Sequence, residues 1–125
     1  MGYLETYQQF QTTIAQCQQT LSTTPNNSST IRTSVQAIEQ YFRHNIIQLT
    51  PSDGEDSLNH PTSPPNLYGI QVEINKQLRL LKTDCLFLQS AQQSTKRSQR
   101  LQQISDRLTL LQRYCQMALG ESLEP

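Results

Sequence analysis

Apolar residues recur along this chain at steps of three and four, and three polar segments interrupt the pattern. Tyr3, Tyr7, Phe10, Ile14, Cys17 and Leu21 are spaced 4, 3, 4, 3 and 4 apart. That heptad-like seam predicts an amphipathic helix over residues 3–22 that buries one face against partners. Thr23 to Ser29 ends it: Pro25 disfavours helical geometry at Thr24, and the Asn/Ser cluster supplies N-caps for the next element. A second helix is expected over 29–49, with its seam at Ile31, Val35, Ile38, Phe42, Ile46 and Leu49. Tyr41 and Ile47 lie just off that seam and should widen the apolar face. The short loop between the two helices makes them antiparallel neighbours.

Residues 50–65 follow neither period. Four prolines and the acidic run Asp53, Glu55 and Asp56 read as a mobile acidic linker, long enough to cross over or lie across the helices. A third helix is expected over 66–91, with a seam through Leu67, Ile70, Ile74, Leu78, Leu81, Cys85 and Leu88. Its two consecutive steps of four are a stutter, which locally straightens a supercoil. If that seam faces a core, Leu80 and Phe87 point to nearly the opposite side, since each residue turns the helix by about 100°. We expect both to be buried, which would make this the central helix. After Gln92 and Gln93 a fourth helix is expected over 95–119, with Ser94 or Thr95 as N-cap, its seam at Leu101, Ile104, Leu108, Leu111, Cys115 and Ala118, and Gly120 as C-cap. The alternative at this weak break is one long bent helix. The fold class is all-α: a single domain over 1–125, either a four-helix bundle or two packed antiparallel hairpins.

Composition limits the chemistry. The chain has 125 residues, no tryptophan and 19 glutamines, so the core should be aliphatic and the surface rich in amides. No apolar run approaches the about 20 residues that span a bilayer, and the N-terminus lacks the features of a signal peptide; a cytoplasmic location, with no membrane insertion, is expected. Cys17, Cys85 and Cys115 are far apart at apolar helical positions, without metal-ligand spacing, and read as buried free thiols. The only histidines, His44 and His60, have no nucleophile placed beside them, and there is neither a Gly-rich phosphate loop nor a Glu-x-x-His motif. No catalytic residue, metal or cofactor is expected. If a small dianion were bound, Arg79, Lys82, Asp84 and Arg107 would be the groups to hold it; we expect them on solvated faces instead.

The formal charge of zero hides an asymmetry. Residues 76–113 hold eight basic and two acidic residues, whereas 1–75 hold two basic and six acidic. On the fourth helix Arg100, Gln103, Arg107, Leu110, Tyr114 and Met117 form a second stripe beside the core seam. Lys96 and Arg97 add cations at a helix N-terminus, where the macrodipole is already positive, so helix stability does not explain them. Arg79, Lys82, Lys96, Arg97, Arg100, Arg107 and Tyr114 are therefore the candidate partner-binding residues, suited to an acidic or phosphorylated partner. The alternative is a nucleic-acid-binding or signalling adaptor using the same basic face. For nucleic acid the stripe lacks interleaved aromatics beyond Tyr114 and lacks a helix-turn-helix.

Residues Asn75 to Leu81, Thr83-Asp84, Phe87-Leu88-Gln89 and Ala91, followed by Gln103-Ile104, Asp106-Arg107-Leu108, Leu111 and Tyr114-Cys115, resemble the PatD family of cyanobacterial heterocyst-frequency control proteins. The resemblance covers about residues 70–116; chain length and glutamine-rich composition agree. It implies a small cytoplasmic protein, acting at the division septum, that interacts with the tubulin-like division protein FtsZ. It would promote assembly or bundling of FtsZ filaments and so tune cell size and heterocyst frequency. It implies no cofactor, no small-molecule substrate and no reaction. Apart from the resemblance, exposed seams on four glutamine-rich helices leave a homodimer open.

Overall fold

The computed structural model describes residues 3–47 and 67–120. Four helices follow one another: α1, Tyr3–Thr23; α2, Ser28–Tyr41, which runs on into a π-helical turn, Phe42–Ile46; α3, Leu67–Ser90; and α4, Ser94–Ala118. Each helix packs on two neighbours, α1 on α2 and α4, and α3 on α2 and α4. Cross-links fix the directions. Gln71 Nε2 donates to the Ile46 carbonyl at 3.2 Å, and Lys82 lies 3.8 Å from Glu39, so α3 ascends as α2 descends. Gln112 Nε2 donates to the Gln11 carbonyl and Arg97 to the Pro25 carbonyl, so α4 runs against α1. The result is an all-α, up-down-up-down bundle in which all neighbours are antiparallel. The end of α2 and the start of α3 lie at the same end of the bundle. The expected acidic linker, and Leu49 with it, lies outside the described residues.

The four seams meet in one core. Tyr7, Phe10, Ile14 and Cys17 of α1, Ile31 to Ile46 of the α2 seam, all seven seam residues of α3, and Ile104 to Ala118 of α4 are buried, and Leu21 and Leu101 pack half-buried at its margin. Fully burying a side chain of this size contributes about 1.5–3 kcal/mol. The aromatic residues gather where α1 meets α2. Phe10 stacks on Tyr41 with ring centroids 5.9 Å apart and touches Phe42 at 6.1 Å. The Tyr41 hydroxyl donates to the Thr6 carbonyl at 3.1 Å. Tyr41 thus widens the apolar face as expected, but Ile47 does not: it is exposed.

The π-helical turn has a cause in the sequence. Ile38, Phe42 and Ile46 are two consecutive steps of four, and in an α-helix each such step drifts about 40° off the seam. A wider turn with i→i+5 bonding, seen in the Ile47 N–H bond to the Phe42 carbonyl, keeps Phe42 and Ile46 on the core. In α3 the same stutter at Ile70, Ile74 and Leu78 stays α-helical. There the buried face broadens to take in Gln71 and Gln77.

Helix ends follow local chemistry. Asn27 caps α2, its Oδ1 accepting from Thr30 N at 3.0 Å. Gly120 at φ 75° closes α4 in the left-handed conformation that only glycine adopts without strain. The break at 91–93 separates two helices, so α3 and α4 are not one bent helix. Its N-cap is Gln93, in extended conformation and without a side-chain cap bond, rather than Ser94 or Thr95.

Candidate interaction surface

The α3–α4 contact decides what most of the expected partner-binding residues do. Asp84 sits on the α3 flank facing α4 and is 3% exposed. Arg107, from α4, closes on it: Nε pairs with Asp84 Oδ2, and Nη1 donates to Gln77 Oε1 at 3.2 Å. One helical turn or two away, Arg100 lays its guanidinium over the Phe87 ring, 4.5 Å from the centroid. Towards the other end the Tyr114 phenol faces Glu73 across the seam; burial and then the Glu73 carboxylate push its pKa up. The stripe that looked like a docking face is therefore a polar zipper within the molecule, joining α3 to α4.

Two expectations change as a result. Asp84 and Arg107 are not on solvated faces; they neutralise each other in a sparsely hydrated seam, which leaves Arg107 little capacity for a further anion. Arg97 does have a role in helix stability. Its Nη2 donates to the Pro25 carbonyl at 3.1 Å and its Nη1 to the Leu88 carbonyl at 3.5 Å, tying the α4 start to the ends of α1 and α3. The Pro25 carbonyl lies in the turn after α1, and the Leu88 carbonyl, in the last turn of α3, also accepts from Ala91 N at 3.2 Å. Lys96, beside it, is exposed.

The expectation that Leu80 and Phe87 are buried is also wrong: they are 37% and 48% exposed. Each helix touches two neighbours in a square arrangement, so none is central and each keeps an outward face. On α3 that face carries Tyr68, Val72 and Leu86, exposed by 63, 46 and 57%. With Asn75, Arg79 and Lys82 they are spaced 4, 3, 4, 3 and 4, a second seam with apolar ends and a polar, basic middle. The spacing could have been read directly from the chain. It was hidden because the core seam on the same helix, and the stripe on the fourth helix, are denser.

The candidate residues therefore lie on separate surfaces. Arg100, Arg107 and Tyr114 close the α3–α4 seam; beside it an open groove of about 520 Å³ is lined mainly by glutamines, Asp106 and Arg107. Arg79 and Lys82 stand roughly opposite Asp84 around α3. Lys82 reaches the Glu39 carboxylate on α2, which Arg43 also approaches at 3.5 Å. Between α2 and α3 a second groove, about 280 Å³, has Val35, Leu78 and Cys85 in its floor and Arg32, Lys82 and Leu86 on its rim.

No protein-family model, curated protein or solved structure matches the chain.

The thiols offer no evident nucleophile. All three are buried and outside any disulfide. Burial, followed by the charges of Cys17 and Asp84, pushes the Cys85 thiol up to about 12 despite the opposing effect of Arg32. Burial raises Cys17 as well, against a hydrogen bond from Ser34, whose Oγ lies 3.2 Å from the sulfur. Among the described residues no three His, Cys, Asp or Glu side chains stand close enough together to hold a metal ion, and no helix is long and apolar enough to cross a membrane.

Proposed function

We propose that this chain is a non-enzymatic interaction protein that binds FtsZ, promotes or modulates assembly of its filaments, and thereby influences cell division and heterocyst frequency. The resemblance over residues 70–116 supports the partner. The observation that carries the interaction reading is where the exposed apolar side chains stand. Of eight large ones among the described residues, five, Tyr68, Val72, Leu80, Leu86 and Phe87, are on α3. Tyr68, Val72 and Leu86 share the outward side of that helix, and apolar exposure gathered on one face, unlike apolar residues scattered singly, favours contact with another macromolecule. Protein partners read such faces on rigid helices without any reaction. The protein acts in this reading in the cytoplasm, at the division septum.

Co-sedimentation tests it. With GTP-assembled FtsZ filaments the protein is expected in the pellet, and the filaments in thicker bundles by electron microscopy. A protein that stays in the supernatant at micromolar concentrations of both, leaving filament mass and width unchanged, overturns the assignment.

A further inference from the structure

We infer that the outward face of α3 beside α2, from Tyr68 to Leu86, docks an acidic amphipathic segment of a partner protein: carboxylates at its centre, apolar side chains at its two ends. The inference rests on the interaction reading above and adds the chemistry of what is bound and where. Tyr68 and Val72 form one apolar end and Leu86 the other, with Arg79 and Lys82 between them. At 1.5 Å per residue the face is about 27 Å long, the length of five turns of a partner helix.

Charge chooses the occupant. Among the described residues Arg32 and Arg43 of α2 and Arg79 and Lys82 of α3 are exposed along this side and Glu39 is the one carboxylate beside them, held by Arg43 at 3.5 Å and Lys82 at 3.8 Å. That partial pairing orients Lys82 without neutralising the patch. A second copy of the chain laid on this face would bring Arg79 and Lys82 close to the same cations, a repulsion that self-association must overcome. A nucleic-acid duplex would set its phosphates against Val72 and Leu86. An acidic segment meets the cations with carboxylates and leaves the apolar ends to matching side chains. The 280 Å³ groove beside Leu86, floored by Val35 and Leu78, is placed to take one of those side chains.

The test uses the full chain and two probes. One is a labelled synthetic helical peptide with glutamates at its centre and leucines at both ends, together with its Gln-for-Glu counterpart; the other is assembled FtsZ. Fluorescence anisotropy is expected to show binding of the glutamate peptide, at least tenfold weaker for the glutamine peptide and for Arg79→Glu with Lys82→Glu. The control set Arg113→Glu, Gln9→Glu and Gln16→Glu, equal in charge change and also on exposed positions, should stay within about twofold. Circular dichroism melts confirm folding, and Arg79→Gln with Lys82→Gln replaces the reversal pair should that one unfold. Equal binding by the α3 pair and the control set overturns the face. So does peptide binding only after Asp53→Asn, Glu55→Gln and Asp56→Asn, which would make the chain's own acidic segment the occupant. Dimerisation broken by Val72→Glu, or duplex DNA binding lost with Arg79 and Lys82, overturns it too. Peptide binding without FtsZ pelleting keeps the face and removes FtsZ; FtsZ pelleting that ignores the α3 pair, without peptide binding, does the reverse.

Discussion

Asp84 shows how one residue changes the meaning of its neighbours. A carboxylate that is almost fully covered is tolerated because Arg107 pairs with it and Gln77 occupies another guanidinium nitrogen. Arg107→Ala would leave the covered Asp84 carboxylate uncompensated, and should lower stability by about 3 kcal/mol or more in urea unfolding. Replacing both members, Asp84→Leu with Arg107→Met, should recover most of that loss, because an apolar pair of similar volume removes both desolvation penalties. For the same reason Arg107→Glu would not isolate a binding role: it sets a second carboxylate against Asp84. Cys85 makes a prediction with pH. Its thiol titrates near 12 in the fold against 9.0 as the ordinary value, so it stays neutral while the unfolded chain deprotonates. Its stabilising contribution is fully present below pH 9 and is lost as pH rises from about 9 towards 12. Urea midpoints should fall over that window, less steeply in Cys85→Val.

Elements are held at their ends by side chains that sequence patterns do not rank highly. From the first turn of α4 Arg97 reaches the Leu88 carbonyl in the last turn of α3 and the Pro25 carbonyl in the turn that follows α1. Arg97→Ala should cost about 1.5 kcal/mol, the order of a charged hydrogen bond, while partner binding stays unchanged; a loss of binding without a loss of stability would return Arg97 to the interaction surface. Gln71 performs a similar function where the π-helical turn ends, satisfying the Ile46 carbonyl from a buried position. Gln71→Leu keeps the volume and removes the donor, and should lower stability by about 1 kcal/mol by leaving that acceptor unmet. At the ends that fall within the described residues the helices were legible in the sequence to within a residue, because their seams run four turns or more. The π-helical turn was legible only as a double step of four, a pattern that α3 also contains and resolves differently.

Across the whole molecule the square packing governs which faces are free. Every helix spends one face on the core and part of each flank on a neighbour, and α3 and α4 share the most extensive contact. That contact consumes Arg100, Arg107 and Tyr114, leaving the outward side of α3 as the larger apolar exposure. Binding that depends on the α3 face should weaken as ionic strength rises, since two exposed cations contribute to it. A salt titration of the co-sedimentation is expected to show a graded loss, with a salt-resistant remainder from Tyr68, Val72 and Leu86.

The amino-acid sequence alone determined the four helices, their core seams, the buried thiols and the glycine that ends α4, because each is set by periodicity or by backbone chemistry within a few residues. Only the tertiary structure decided which polar residues are shared between helices. Arg107 and Arg79 look alike in the chain, two arginines outside a core seam, yet one meets Asp84 across a helix interface and the other faces outward. That difference arises from how α3 is rotated against its two neighbours, a property of pairs of helices that no single helix encodes.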